Sequence, residues 1–127
     1  MGLYVGSTVI NCTDVEKGMV FWSAALGYEV RHADPTFAVL RDPRRRWSNV
    51  SIQLADSPKT GRNRLHLDLY TDDQPGEVER LVGLGATRIP WTYPPDADFV
   101  VLTDPDGNEF CVIQTTLTQD VGSAPGY

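Results

Sequence analysis

The sequence has little cysteine, no excess of basic charge and no long apolar run, and each shortage excludes a class of protein. Two cysteines without C-x-x-C spacing do not make a disulfide framework, and because both lie in apolar stretches we predict buried, reduced thiols. The 17 acidic residues outnumber the 11 basic ones, so the net charge of −6 disfavours binding to the phosphates of nucleic acids. No apolar run approaches the roughly 20 residues that span a bilayer. The N-terminus lacks a signal-peptide pattern, so we expect a cytoplasmic protein with no membrane partner.

The 127 residues are enough for one domain with a real core, since 41% of them are hydrophobic. The β-branched segment 3–12 predicts a strand. A helix is predicted to follow it, with Asp14 as the N-cap residue and Gly27 at its C-terminal end. Further strands are predicted over residues 28–32, 37–41 and 49–55, before a polar linker that contains Pro and Gly at residues 56–63.

After the linker the pattern starts again, with a strand at 64–71, a helix at about 75–84 and strands at 86–89, 99–103 and 109–114. The segment Phe37–Pro43 recurs as Phe99–Pro105, which supports an internal repeat. We therefore predict one α+β domain over residues 1–115, built from two βαβββ modules at about 3–55 and 64–115. Their strands would form a curved mixed sheet around a ligand cavity. Residues 116–127 are predicted to be a loose C-terminal tail.

The repeat and three motifs resemble the vicinal oxygen chelate superfamily, which includes glyoxalases and bleomycin-resistance proteins. Leu26-Gly27-Tyr28 ends the first helix, a strand containing His66 opens the second half, and the turn Asp104–Phe110 reads DPDGNEF. The resemblance covers about residues 3–115. It implies a protein that holds a small molecule in a cavity between its two sheets and forms a homodimer; we predict no cofactor.

Metal enzymes of that superfamily take one ligand from each of four strands, usually His or Gln, Glu, His and Glu. The resemblance places these positions at Ser7 (or Thr8 in a shifted alignment), Gln53, His66 and Cys111. One imidazole, one amide, one hydroxyl and one thiol fall short of the carboxylates and imidazoles that Mg²⁺, Mn²⁺ or Fe²⁺ prefers. We therefore expect no standard metal site and a protein that is metal-free as purified. Glu109, on the same strand face as Cys111, is the candidate for a displaced ligand.

His66 and Asp68 are the candidate catalytic residues, because they lie two positions apart and so on one face of their strand. A carboxylate beside an imidazole orients the ring for general-base catalysis. The alternative is a structural pair that holds the sheet together. No G-x-S-x-G motif or phosphate-binding loop accompanies them, so nothing points to hydrolysis through a covalent intermediate.

Loop aromatics are the second set of candidates. Trp47, Trp91 and Tyr93 lie in predicted loops, where they could line the mouth of the cavity and stack on planar ligands. The alternative is a subunit interface or a lid over the core.

The favoured hypothesis is a metal-independent protein that binds or sequesters an apolar or aromatic metabolite or antibiotic. Its predicted ligand-binding residues are Gln53, His66, Asp68, Trp47, Trp91, Tyr93 and Cys111. The alternative is an enzyme of the same fold, a lyase, isomerase or dioxygenase-like protein, that uses His66 as its base or its sole retained metal ligand. A purely structural or interaction module is a third class. The sequence leaves open the identity of the ligand and whether there is turnover.

Overall fold

The helices and strands of the computed structural model follow the order that the sequence predicts. The structure describes residue 2 and residues 4–116, so the predicted tail lies outside the described residues except for residue 116. The elements are β1 (Ser7–Cys12), α1 (Val15–Leu26), β2 (Glu29–Asp34), β3 (Phe37–Arg41), β4 (Asn49–Leu54), β5 (Leu67–Thr71), α2 (Gln74–Leu84), β6 (Thr87–Arg88), β7 (Phe99–Thr103) and β8 (Glu109–Gln114).

These elements form two compact units. The first unit contains the described residues up to Gly61 together with Pro105–Asn108, and the second contains Arg62–Asp104 and the described residues from Glu109 onward. The boundary after Gly61 falls inside the predicted linker 56–63. Neither helix of the described part is long and apolar enough to cross a membrane.

The first unit is a four-stranded mixed sheet in the order β1-β4-β3-β2, in which β1 and β4 are parallel and the other pairs are antiparallel. Helix α1 packs against β3 and β4 and buries Phe21 and Trp22. It begins after Asp14, whose side chain accepts a hydrogen bond from the backbone N–H of Lys17. It ends at Gly27, which adopts the left-handed conformation at φ 69° that favours glycine.

The second unit repeats this arrangement with the order β5-β8-β7-β6 and a parallel β5–β8 pair. Helix α2 packs against β8 and buries Val78 and Leu81. Asp73 caps it by accepting a hydrogen bond from the N–H of Gly76. Each unit therefore has one helix and one mixed sheet, which confirms the predicted α+β class and the βαβββ repeat.

Two strands begin three or four residues later than the sequence predicts. Strand β1 begins at Ser7 and not at residue 3, because its partner β4 begins at Asn49, directly opposite Ser7. Strand β5 begins at Leu67 and not at residue 64, and Leu65, which precedes the strand, is 89% exposed. His66 accordingly lies just before the strand.

The two thiols differ in their burial. Cys12 is 2% exposed at the end of β1, as predicted, whereas Cys111 on β8 is only partly buried, so the prediction of burial was wrong for Cys111. Neither cysteine forms a disulfide. The cause of the difference lies in strand parity: Phe110 and Val112 bury their side chains beneath the strand, and Cys111 between them points to the other face.

The turn Pro105–Asn108 completes the first unit although the chain reaches it only after β7. The Asp106 carboxylate accepts hydrogen bonds from the backbone N–H and the hydroxyl of Thr13, at 3.0 and 2.6 Å. The Asn108 side-chain amide donates to the carbonyl oxygen of Asn11. These bonds hold the segment that joins β1 to α1.

Candidate functional site

A pocket of about 280 Å³ lies on one face of the second sheet. Its apolar wall is formed by Phe99 and Val101 of β7 and Ile113 of β8. The register explains why these side chains meet, because Phe99 lies opposite Ile113 and Val101 lies opposite Cys111. Since side chains alternate along a strand, Phe99 and Val101 of β7 face the pocket together with Cys111 and Ile113 of β8.

The polar side of this pocket is formed by His66, Asp68 and Cys111. The Nε2 of His66 lies 3.0 Å from the Oδ1 of Asp68, and both side chains are about half exposed. The parallel register of β5 and β8 then places Asp68 directly opposite Cys111. The nitrogen, carboxylate and sulfur atoms of the three side chains all lie within 4.8 Å of one another. The cluster therefore offers three different donor atoms on one side of an otherwise apolar pocket.

The Cys111 thiol is not activated by these surroundings. Burial raises its pKa, and the nearby carboxylates of Asp68 and Glu109 raise it further, while the Arg62 guanidinium partly opposes them. Because the reactive form of a cysteine is its thiolate, a raised pKa disfavours a role as a nucleophile.

The rim of the pocket contains a residue that the sequence analysis did not single out, Arg62. Its Nε donates to the Oε1 of Glu109 at 2.9 Å, and its guanidinium lies 4.5 Å above the centre of the Trp91 ring. The backbone N–H and side-chain amide of Asn63 also donate to the side chain and the carbonyl oxygen of Glu109. A single arginine in a polar linker carries no signal of this kind, so only the structure reveals it. Glu109, the candidate for a displaced ligand, thus forms an ion pair with Arg62, and its role as a ligand stays a prediction.

Tyr93 lies beside the pocket and is not one of the residues that line it. Its ring packs against Phe99 with a centroid separation of 5.3 Å, and its hydroxyl accepts a hydrogen bond from the backbone N–H of Val101. That N–H lies beyond the short pairing of β6 with Leu102 and Thr103. Tyr93 thus covers an open stretch of β7, and its role in ligand binding stays a prediction.

Gln53 and Trp47, the other predicted ligand-binding residues, belong to the first unit. Gln53 is exposed on β4, and Trp47 is 36% exposed in the loop between β3 and β4. The buried Asp42 carboxylate organises that loop by accepting backbone N–H bonds from Arg44, Arg46 and Trp47. Burial opposes the ionisation of Asp42, but these three bonds and the Arg46 charge outweigh it and lower its pKa. A role for Gln53 and Trp47 in binding stays a prediction.

The four-ligand metal set of the resembled superfamily does not fit the residues of this chain. The Ser7 hydroxyl is hydrogen bonded to the Ser51 hydroxyl at 2.7 Å, and the Gln53 amide is neutral. In the second unit His66 is present, but the last position holds the Cys111 thiol in place of a carboxylate. A hard cation such as Mg²⁺ prefers several oxygen ligands, so these residues do not supply its site.

Comparisons with known proteins agree with the fold. The family model described as Glyoxalase-like domain matches residues 7–113. An enzyme of the glyoxalase/bleomycin resistance protein/dioxygenase family from Burkholderia phytofirmans is 19% identical with a TM-score of 0.68, covering 84% of this chain and 94% of its own. The bleomycin-binding protein of Streptomyces verticillus, solved with copper(II)-bleomycin, is 17% identical with a TM-score of 0.61, covering 91% and 99%. A protein from Agrobacterium tumefaciens is 12% identical with a TM-score of 0.71, covering 91% and 100%. A search of curated proteins finds no match.

Proposed function

The chain belongs to the glyoxalase-like domain family, and on this basis we propose that it binds a small, flat apolar or aromatic molecule, a metabolite or an antibiotic, in the pocket of its second unit. The observation that carries the proposal is the apolar strand face of Phe99, Val101 and Ile113 beside the indole of Trp91. One structural neighbour binds the antibiotic bleomycin, which supports an organic molecule as the kind of ligand that this fold can hold.

The physical basis of the affinity is burial of apolar surface. Each Å² of apolar ligand surface removed from water contributes about 25 cal/mol, and stacking on an aromatic ring adds roughly 0.5–1.5 kcal/mol. The His66–Asp68 pair would orient the ligand through hydrogen bonds, since both side chains are half exposed and line the pocket. Neither contribution requires a metal ion.

Tryptophan fluorescence tests this proposal, because Trp91 lines the pocket while Trp22 is buried in the first unit. Titration with quinoline and with 2-naphthol is expected to quench the emission and to raise the melting temperature. Trp91→Leu should remove most of the quenching, and Trp47→Phe measures whether Trp47, the other predicted ligand-binding tryptophan, contributes to it. Unchanged emission and melting temperature across a broad panel of planar molecules, quinoline and 2-naphthol included, would contradict the proposal.

One observation favours an enzyme as the second candidate. The 3.0 Å contact between His66 and Asp68 is the geometry in which a carboxylate orients an imidazole as a general base. Such an enzyme would be a lyase, isomerase or dioxygenase-like protein of the same fold. If it is an enzyme, product should form from a bound ligand, and His66→Ala should abolish turnover while binding remains measurable. Tight binding without any product favours the binding protein.

We also propose that the protein acts in the cytoplasm and as a homodimer. Two cysteines that form no disulfide fit a reducing compartment. A second copy of the chain would remove exposed apolar side chains such as Val9, Val30 and Leu54 from water.

A further inference from the structure

We propose that His66, Asp68 and Cys111 form a reversible metal site that takes a borderline cation such as Zn²⁺ or Co²⁺ and rejects Mg²⁺ and Ca²⁺. This site shares His66 and Cys111 with the four-strand set, but Asp68 takes the place of the two positions at Ser7 and Gln53. All three donors belong to the second unit, and a thiol replaces a carboxylate. The inference does not depend on the binding of an organic ligand.

The distances between the donor atoms are close to those that one ion requires. Around a tetrahedral Zn²⁺ with bonds of 2.0–2.3 Å, neighbouring ligand atoms lie about 3.3–3.6 Å apart. The nitrogen of His66 and the oxygen of Asp68 are already 3.0 Å apart, and every pair in the cluster is within 4.8 Å. The remaining adjustment is on the order of 1 Å, which half-exposed side chains reach by small rotations about their own bonds.

The chemistry of the donor set selects the metal. Imidazole and thiolate donors favour Zn²⁺, Co²⁺ and Cu²⁺, whereas Mg²⁺ and Ca²⁺ prefer oxygen donors alone. The Asp68 carboxylate and the Cys111 thiolate together would neutralise a divalent ion. Glu109 does not compete for it, because Arg62 and Asn63 already engage its side chain.

The number of protein ligands makes the site reversible. Three side-chain donors leave at least one coordination position for water or for an added ligand, as catalytic zinc sites do. Because two of the three side chains are about half exposed, a chelator can reach the ion. The protein is therefore still expected to be metal-free as purified, and the site fills when metal is supplied.

Cobalt spectroscopy tests the proposal on the full-length chain after dialysis against a chelator. Titration with Co²⁺ is expected to produce the thiolate-to-cobalt charge-transfer band and the intense visible bands of tetrahedral cobalt, saturating at one ion per chain. One equivalent of Zn²⁺ should remove these bands, and a large excess of Mg²⁺ should not.

Variants assign the signal to its residues. Cys111→Ser should abolish the charge-transfer band. His66→Ala and Asp68→Asn should each weaken Co²⁺ affinity by more than about 100-fold, since even residues that only support a ligand contribute 10–100-fold. The matched controls Cys12→Ala and His32→Ala alter the other thiol and the other imidazole of the chain and should keep the wild-type bands.

Circular dichroism of every variant separates loss of metal binding from loss of the fold. The proposal is overturned if the folded wild-type protein gives no thiolate band, or if the band survives in Cys111→Ser. No organic ligand is present in these titrations, so a negative result here leaves the fluorescence test of the proposed function unaffected.

Discussion

At the scale of single residues, the two histidines of the chain show that surroundings decide whether a pair of side chains can act as a site. His32 contacts Asp34 at 2.7 Å and His66 contacts Asp68 at 3.0 Å, with the same spacing of two residues. The second pair lines a pocket and lies beside the Cys111 thiol. Sequence spacing alone would treat the two pairs as equivalent.

This difference leads to the first prediction at the residue scale. His66→Ala should weaken the quenching by planar ligands modestly, because it removes a polar contact from the pocket and leaves the apolar strand faces intact. The fold should survive, since His66 precedes β5 and its side chain is half exposed. His32→Ala is the matched control and should leave the quenching unchanged. Unfolding of His66→Ala in thermal melts would instead make this residue a structural support.

Asp34 supports a prediction about pH. The hydrogen bond from His32, and then those from the N–H and hydroxyl of Thr36, lower its pKa from 3.8 to about 2. A carboxyl with a lowered folded-state pKa contributes stability above its unfolded pKa and loses it as the pH falls toward the folded value. Asp34→Asn should therefore destabilise the protein near neutral pH, and the difference from wild type should shrink between about pH 4 and pH 2. Urea unfolding across this range measures it, and a difference that does not change with pH would contradict the assignment.

At the scale of elements, two helical glycines should respond to alanine with opposite signs. A methyl group at Gly18 of α1 would lie 3.1 Å from the Cγ2 of Ile52 and 3.3 Å from the Sγ of Cys12, both buried. Crowding of this kind costs about 1–3 kcal/mol and exceeds the gain of about 1 kcal/mol in helix propensity. At Gly83 of α2 nothing lies within 4 Å.

Gly18→Ala should thus lower the free energy of unfolding by about 1 kcal/mol, and Gly83→Ala should raise it by roughly 0.5–1 kcal/mol. Chemical denaturation of the two variants and the wild type measures both values. If both substitutions stabilise the protein, the side chains of Cys12 and Ile52 can move away from the added methyl group on α1 at little cost, and the prediction for Gly18 is wrong.

The elements also show what the sequence can and cannot predict. Helix ends were predictable within a residue or two because caps are local, as at Asp14 and Gly27. The first residue of a strand was less predictable. A strand extends only as far as its partner strand pairs with it, and that partner is remote in sequence. Leu65 has the alternation of a strand residue but lies outside the pairing of β5 with β8.

The same limit applies to the candidate site. His66 and Asp68 could be paired from their spacing, but their approach to Cys111 depends on the parallel register of β5 and β8, which no local pattern encodes. Arg62 and the apolar wall at Phe99 and Val101 were missed as site residues for a related reason. An arginine in a linker and apolar residues in a strand are common in proteins of every function. Only the fold shows that these residues line the same pocket.

At the scale of the whole molecule, we predict a homodimer. The family resemblance implies it, and exposed apolar side chains such as Val30 and Leu54 in the first unit would gain cover. Sedimentation equilibrium at micromolar concentration should give twice the chain mass of 14.1 kDa. A mass near that of one chain would count against the prediction.

The placement of the turn Pro105–Asn108 in the first unit has a consequence for synthesis on the ribosome. The chain emerges from its N-terminus, yet the partners of Thr13 and Asn11, namely Asp106 and Asn108, are synthesised 93 and 97 residues after them. Strand β8, which lies between β5 and β7 in the second sheet, follows immediately. The stretch 105–114 therefore completes both units at nearly the same moment, so neither half of the nascent chain can finish folding long before the other.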